Sequence, residues 1–128
     1  MTPEPKPKST LIQAFRYAFQ GISFSLRTQR NMRIHFVTAV LVLILGFFLR
    51  FQAEEWLALF VCIALVIGSE LINTAIEATV DLASPEKRAL AKIAKDSAAA
   101  AVLIFAILSA LIGIFIIIQA ILRLLGSA

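Results

Sequence analysis

The chain is poor in the residues that soluble and secreted domains depend on. Only 16% of its 128 residues are charged, while 60% are apolar. Ordinary soluble domains carry about a quarter charged residues, and a protein this small has little interior in which to bury so many apolar ones. The single cysteine, Cys62, excludes a disulfide framework or a cysteine metal site within one chain. It is interpreted as a small buried or lipid-facing residue. The composition therefore favours a membrane protein.

Proline is also scarce, and its positions are informative. Three of the four prolines fall in residues 1–9, which we expect to form a flexible tail. This region has no apolar segment that ends at a small-residue cleavage site, so we expect the whole chain to be retained. The remaining proline, Pro85, follows Ser84, and this pair predicts a helix start with Ser84 as the N-cap.

Four helices are predicted within a single membrane domain that covers residues 1–128. In residues 10–29, apolar side chains recur at a helical period, which indicates an amphipathic helix at the membrane surface. Packing against other protein would give the same pattern. Three longer apolar runs predict transmembrane helices at 33–50, 54–82 and 85–124. The predicted fold class is thus an all-α integral membrane protein with an N-terminal surface helix and three transmembrane helices.

The basic residues are distributed as topology signals. Apart from Arg50 and Arg123, all of the 12 Lys and Arg residues precede the first span or lie around the 82–96 hairpin. The positive-inside rule then predicts that the N-terminus and this hairpin are cytoplasmic and the C-terminus is outside. There is no basic stripe with interleaved aromatic residues, so the net charge of +4 does not indicate a nucleic-acid partner.

A polar stripe interrupts the second span. Its four members, Glu70, Asn73, Glu77 and Asp81, fall within about 80° of one another on a helix of 3.6 residues per turn. Folding the following hairpin about residue 83 would bring Glu70 level with Asp96 on the third span. That level should be the cytoplasmic boundary of the membrane, because purely apolar residues follow on both helices.

Ionisable groups at such a depth are costly unless paired, and they indicate a functional site by default. An excess of carboxylate and amide oxygens suits a hard cation such as Mg²⁺, and Lys95 on the facing helix suits phosphate. A structural cluster of ion pairs between helices and an ion or proton path are the alternatives. His35, at the start of the first span, has no visible partner in the sequence and is interpreted as a satisfied interfacial histidine.

Two motifs resemble the prokaryotic diacylglycerol kinase family, which includes the undecaprenol kinases: ELINTAIEATVD at 70–81 and AKIAKDSAAAAV at 91–102. The resemblance extends over nearly the whole chain. It implies a homotrimer with shared active sites in the bacterial inner (plasma) membrane, with ATP and a membrane lipid alcohol as substrates and Mg²⁺ as cofactor. The acceptor, diacylglycerol or undecaprenol, stays open, although residues 31–35 look closer to the undecaprenol kinases.

The resemblance also implies roles for five residues of these motifs. Glu70 would be the general base, within reach of the lipid hydroxyl. Glu77 would bind the metal at the nucleotide site, and Asn73 would line that site beside it. Lys95 would contact the phosphates of ATP, and Asp96 would contact the nucleotide.

Two further positions precede the first span. Tyr17 resembles an aromatic residue of the family that packs near the nucleotide. Gln29 stands where the family has a second metal-binding glutamate, and its amide oxygen could bind Mg²⁺ without adding negative charge. We therefore expect weaker Mg²⁺ binding than in relatives with glutamate there. A weakly active or non-catalytic structural membrane protein is the second interpretation of the sequence.

Overall fold

The computed structural model describes residues 10–84, 86 and 88–126, and these residues are predominantly helical. Their four helices are α1 (Leu11–Thr28), α2 (Arg30–Phe48), α3 (Ala53–Ala83) and α4 (Ala89–Gly126). The last three are long and apolar enough to cross a membrane. The predicted all-helical fold with three candidate spans is confirmed. The predicted tail at residues 1–9 and the predicted helix start at Pro85 lie outside the described residues.

Helix α1 begins at a reciprocal cap and ends at a single extended residue. The Thr10 hydroxyl accepts a hydrogen bond from the Gln13 backbone N–H (3.3 Å), and the Gln13 side chain accepts one from the Thr10 N–H (2.8 Å). Gln29 alone separates α1 from α2, with φ −99° and ψ 121°. Its N–H donates to the carbonyl of Ser25 at 2.8 Å. The chain therefore changes direction at Gln29.

The turn between α2 and α3 is a tight helix C-cap. Arg50 takes a left-handed conformation (φ 54°), and the N–H of Phe51 donates to the carbonyl of Gly46 at 3.0 Å. The N–H of Arg50 reaches the carbonyl of Phe47 at 3.3 Å, which completes a Schellman motif. A Cβ on Gly46 would lie 2.8 Å from ring atoms of Phe51 and Trp56. Glycine is thus required here for the close approach of the two rings.

The connection between α3 and α4 differs from the expected one. The Ser84 hydroxyl donates to the carbonyl of Glu86 at 3.2 Å, and Ser84 ends α3. The first backbone bond of α4 runs from the Lys92 N–H to the carbonyl of Arg88 at 3.1 Å. The assignment of Ser84 as the N-cap of the third span is therefore wrong, because the connecting segment continues to Arg88.

Ion pairs at both ends fix the register of α3 against α4. Near the hairpin, Lys95 Nζ lies 2.9 and 3.1 Å from the two carboxylate oxygens of Asp81. At the far end, Arg123 donates two hydrogen bonds of 2.9 Å to Glu55. Glu70 lies about 16 Å along α3 from Asp81, at 1.5 Å per residue. The expectation that Glu70 is level with Asp96 is wrong, because the longer connection shifts α4 toward the hairpin.

The apolar core lies near the α2–α3 turn. Phe51 and Leu59 pack there against Ile116 and Ala120 of α4, and Trp56 adds to them from the side. Many other apolar side chains of the three long helices are exposed on the single chain. Such surfaces are expected to contact lipid or other subunits. The polar stripe lies toward the opposite end of α3, away from this core.

Candidate active site

The middle of α3 holds most of the buried polar side chains in the described part of the chain. Ser69, Glu70, Asn73 and Thr74 are between 1% and 9% exposed, and Glu70 is the most buried of them. The hydroxyls of Ser69 and Thr74 donate to backbone carbonyls one turn earlier. They are thereby satisfied within the helix. Glu70 and Asn73 are left as the groups that face neighbouring helices.

The carboxylate of Glu77 joins two parts of the site. Its Oε1 accepts a hydrogen bond from Asn73 Nδ2 at 3.0 Å, one turn earlier on α3. Its Oε2 accepts one from Gln29 Nε2 at 3.3 Å, across the α1–α2 junction. The structure therefore brings Gln29, which precedes the first span, together with Asn73 and Glu77 of the polar stripe.

Glu70 lies two turns deeper along α3, and its partner is His35. The two are joined by a contact of 3.4 Å between His35 Nε2 and Glu70 Oε1. The side chain of Glu70 is 2% exposed and that of His35 is 24% exposed. The structure thus gives His35, interpreted from the sequence as a satisfied interfacial histidine, a partner that the sequence did not show.

Lys95 and Asp96 lie at the hairpin end of the molecule. Lys95 pairs with Asp81, as described above, and Asp96 pairs with Lys92 one turn earlier on α4. These four charged residues border a cleft of about 540 Å³ between the ends of α3 and α4. Within one chain they are not in contact with Glu70, but Glu77 lies only one turn from Asp81. The hairpin cleft and the Glu77 cluster are therefore neighbours along α3.

Tyr17 lies on α1 and is 58% exposed. Across the described ranges, no hydrogen bond or ion pair joins it to the α3 stripe. The helix that carries it does contact both α2 and α3. The proposed role of Tyr17 at the nucleotide is therefore supported only by its location on α1, a helix that packs against α3.

Two buried oxygens in the stripe lack hydrogen-bond donors among the described residues: Glu70 Oε1 and Asn73 Oδ1. Buried polar atoms are almost always paired, so an unpaired one indicates a missing partner. Asn73 Oδ1 is next to the Glu77 carboxylate, and amide and carboxylate oxygens are the ligands that Mg²⁺ takes. The described residues include no group of three or more acidic, histidine or cysteine side chains that could hold a metal alone. The donor set fits an ion that shares its ligands with phosphate and water.

An apolar cleft of about 450 Å³ runs between α2, α3 and α4. His35 and Thr38 line one part of it, and Cys62, Val66 and Ser109 line the facing helices. Cys62 is buried, in agreement with its interpretation from the sequence. The cleft brings an apolar space next to the residue that contacts Glu70.

Sequence reasoning missed His35 although a usable signal was present. His35 lies as far before Arg50 as Glu70 lies after Glu55. Two antiparallel helices joined by a tight turn bring such residues to the same level. The same count places Gln29 within one residue of Glu77. Counting from the 50–55 turn would therefore have indicated both contacts.

The profile of the family described as prokaryotic diacylglycerol kinase matches residues 16–117. An undecaprenol kinase of Bacillus subtilis is 44% identical over 104 residues, which cover 81% of this chain and 85% of that protein. A diacylglycerol kinase of Synechocystis is 44% identical over 104 residues, which cover 80% of this chain and 59% of that protein. A diacylglycerol kinase of Haemophilus influenzae is 31% identical over 94 residues, which cover 73% of this chain and 80% of that protein. The matched segment contains every candidate residue described above.

Proposed function

We propose that this chain, which belongs to the prokaryotic diacylglycerol kinase family, transfers the γ-phosphate of ATP to the hydroxyl of diacylglycerol or undecaprenol. As a member of that family it is a multi-pass membrane lipid kinase. Relatives that are 44% identical to it include an undecaprenol kinase and a diacylglycerol kinase, so either acceptor is consistent with the comparison. The products would be phosphatidic acid or undecaprenyl phosphate.

The proposed reaction takes place at the cytoplasmic boundary of the bacterial inner membrane. The distribution of Lys and Arg supports a cytoplasmic N-terminus and α3–α4 connection, with the C-terminus outside. ATP would then reach the hairpin cleft from the cytosol. The lipid hydroxyl would approach Glu70 from the membrane side, because the apolar cleft lies next to His35.

The observation that carries the proposal is the burial of Glu70 together with its unpaired carboxylate oxygen. This carboxylate is 1% exposed, and among the described residues its Oε1 lacks any hydrogen-bond donor. Neither carboxylate oxygen takes part in a hydrogen bond among the described residues, so one of them can accept the proton of an alcohol, which is the role of a general base. A purely structural carboxylate at this depth would be expected to have its oxygens satisfied by fixed donors.

The nucleotide would occupy the other end of the stripe. We assign Mg²⁺ binding to Glu77 with the amide oxygens of Asn73 and Gln29, which requires the Gln29 amide to turn its oxygen inward. The ion, when bound, neutralises charge on the phosphate oxygens. We assign Lys95 to the phosphates and Asp96 to the nucleotide. Phosphoryl transfer depends mainly on such positioning and charge neutralisation.

We also assign Tyr17 to the nucleotide. We further propose that the chain forms a homotrimer with shared active sites. Lys95 lies about 16 Å along the helix axis from the level of Glu70 within one chain. A neighbouring subunit would bring further groups to this gap. The extensive exposed apolar surface of α2 and α4 supports contact between subunits.

The test uses purified protein in lipid nanodiscs with ATP labelled at the γ-phosphate. Diacylglycerol and undecaprenol are supplied in separate reactions, so that the labelled product identifies the acceptor. Glu70→Gln and Glu77→Gln are compared with Glu54→Gln, a matched control on the exposed first turn of α3. We expect the Glu70 change to reduce labelling by about 10²-fold or more, the usual contribution of a general base.

The control Glu54→Gln should keep the activity of the unaltered chain. Absence of labelled lipid with both acceptors, from a folded protein with ample Mg²⁺, would overturn the proposed function. Full activity of Glu70→Gln would overturn the assignment of the base while leaving the kinase activity in place.

A further inference from the structure

His35 is the side chain that lies in ion-pair distance of the buried Glu70 carboxylate. Its Nε2 lies 3.4 Å from Glu70 Oε1, an oxygen that has no hydrogen bond among the described residues. Thr74 donates to the Glu70 backbone carbonyl and leaves the carboxylate untouched. On α3, the next carboxylate is Glu77, two turns away, and it is already bonded to Asn73 and Gln29. Among the described residues, His35 is therefore the polar side chain in place to orient this carboxylate.

The contact between His35 and Glu70 has room to shorten. A distance of 3.4 Å is longer than an ordinary N–H···O hydrogen bond of about 2.9 Å. Catalytic hydrogen bonds are often long without substrate and shorten in the reacting complex. Because His35 is on α2 and Glu70 is on α3, the contact also depends on how these helices are held together by their tight turn.

The position of His35 connects the base with the apolar cleft. His35 lines that cleft, and its side chain is 24% exposed while that of Glu70 is only 2% exposed. A group that touches both the buried base and the apolar space can fix which carboxylate oxygen faces an incoming lipid. Gln29 and Asn73 are bonded to Glu77 and do not perform this task.

We propose that His35 is a positioning residue for Glu70, holding Oε1 through its Nε2–H so that Oε2 faces the acceptor hydroxyl. This inference rests on the proposed function. In the transfer step the acceptor oxygen bonds to the γ-phosphorus, and its proton passes to Glu70 Oε2. The bond between the γ-phosphorus and the bridging oxygen breaks, and ADP leaves with the electron pair. His35 keeps its contact with Oε1 throughout.

The kinetic test compares two amide substitutions of different reach. In His35→Gln the amide nitrogen stands near the former Nε2, whereas in His35→Asn it falls short, near the former Nδ1. We expect His35→Gln to keep most of the kcat and His35→Asn to lose on the order of tenfold to a hundredfold, the scale of a misplaced catalytic group. The KM for ATP should stay unchanged in both, because the nucleotide residues are not touched. Equal losses in the two variants would overturn the proposal.

A double-variant cycle adds a second criterion. If His35 acts through Glu70, His35→Asn should cause no further loss in the Glu70→Gln background, since residues that act as a unit are not additive. The same fold-loss in both backgrounds would mean that His35 acts independently of Glu70, and the proposal would fail.

A spectroscopic test does not depend on kinase activity. His35 is the single histidine of the sequence, so protein made with ¹⁵N-labelled histidine and without a polyhistidine tag gives one imidazole spectrum. We expect Glu70→Gln to shift the Nε2 resonance and the control Glu54→Gln to leave it in place. An unchanged spectrum in Glu70→Gln would refute the contact even if the chain proved to have no kinase activity. If the unaltered chain labels neither lipid but Glu70→Gln still shifts the Nε2 resonance, only the proposed function is refuted.

Discussion

Replacing Gln29 with glutamate tests the proposed metal site. In the structure Gln29 Nε2 donates to Glu77 Oε2 at 3.3 Å, so the amide offers a donor to the carboxylate. The change Gln29→Glu removes this donor and places a second negative charge beside the first. The pair should therefore repel in the absence of a cation and bind a cation more tightly than the unaltered site.

The magnitude follows from the observed separation. Two unit charges about 3.3 Å apart repel by about 1 kcal/mol in bulk water and by about 5 kcal/mol at an effective dielectric constant of about 20. Gln29 and Glu77 are both half-buried and their side chains are able to rotate apart, so the lower part of this range applies. A gain of about 1.4 kcal/mol on binding a cation corresponds to a tenfold lower half-saturating Mg²⁺ concentration.

Two measurements check this prediction. Thermal unfolding in detergent should show that Gln29→Glu is less stable than the unaltered chain without Mg²⁺ and recovers when Mg²⁺ is added. The Mg²⁺ titration of lipid phosphorylation should move to lower concentration by about tenfold. Gln29→Met, which removes the hydrogen bond without adding charge, should show no such recovery. An unchanged titration together with an unchanged unfolding temperature would refute the placement of Gln29 at the metal.

Three further predictions concern stability at the α2–α3 turn end. Arg50→Gly should raise the free energy of unfolding by about 1 kcal/mol, because φ 54° is strained for any residue with a Cβ; an unchanged value would contradict this conformation. Gly46→Ala should lower it by about 1–3 kcal/mol, since the added carbon would lie 2.8 Å from ring atoms of Phe51. Glu55→Gln should lower the unfolding temperature by weakening its pair with Arg123, yet leave kinase activity at low temperature unchanged. Denaturant or thermal unfolding in detergent measures all three, and loss of activity in the folded Glu55 variant would contradict the separation of this pair from the site.

The helices could be predicted from the sequence because each apolar run is long and uninterrupted. Helix α4, for example, has Gln119 as the one strongly polar residue between Ser97 and Leu122, a run long enough to cross a membrane. The helix ends were harder to predict. Ser84 and Pro85 have the chemistry of an N-cap and a first helical residue, but the Ser84 hydroxyl is used inside the connecting segment instead. A local capping preference is weak enough for the surrounding chain to override it.

The polar stripe was predictable for a different reason. Glu70, Asn73 and Glu77 lie on one helix, where spacing of three and four residues fixes a common face whatever the tertiary structure. Residue spacing along one helix does not determine which residues contact each other between helices. The pairing of Gln29 with Glu77 was expected only through the family resemblance, and the pairing of Lys95 with Asp81 was not expected at all.

The two hairpins explain why one set of contacts could be counted from the sequence and the other could not. The α2–α3 turn is closed by the Schellman motif at Arg50, so few residues are left to vary, and simple counting pairs His35 with Glu70. The α3–α4 connection runs from Ser84 to Arg88, and these few additional residues move Lys95 by nearly three turns relative to Glu70. The level of Glu70 relative to His35 therefore depends on the α2–α3 turn, while the level of Lys95, the proposed phosphate ligand, depends on the α3–α4 connection. Insertion of one residue next to Arg50 should for this reason disturb the Glu70–His35 contact, whereas the same insertion after Ser84 should leave it in place.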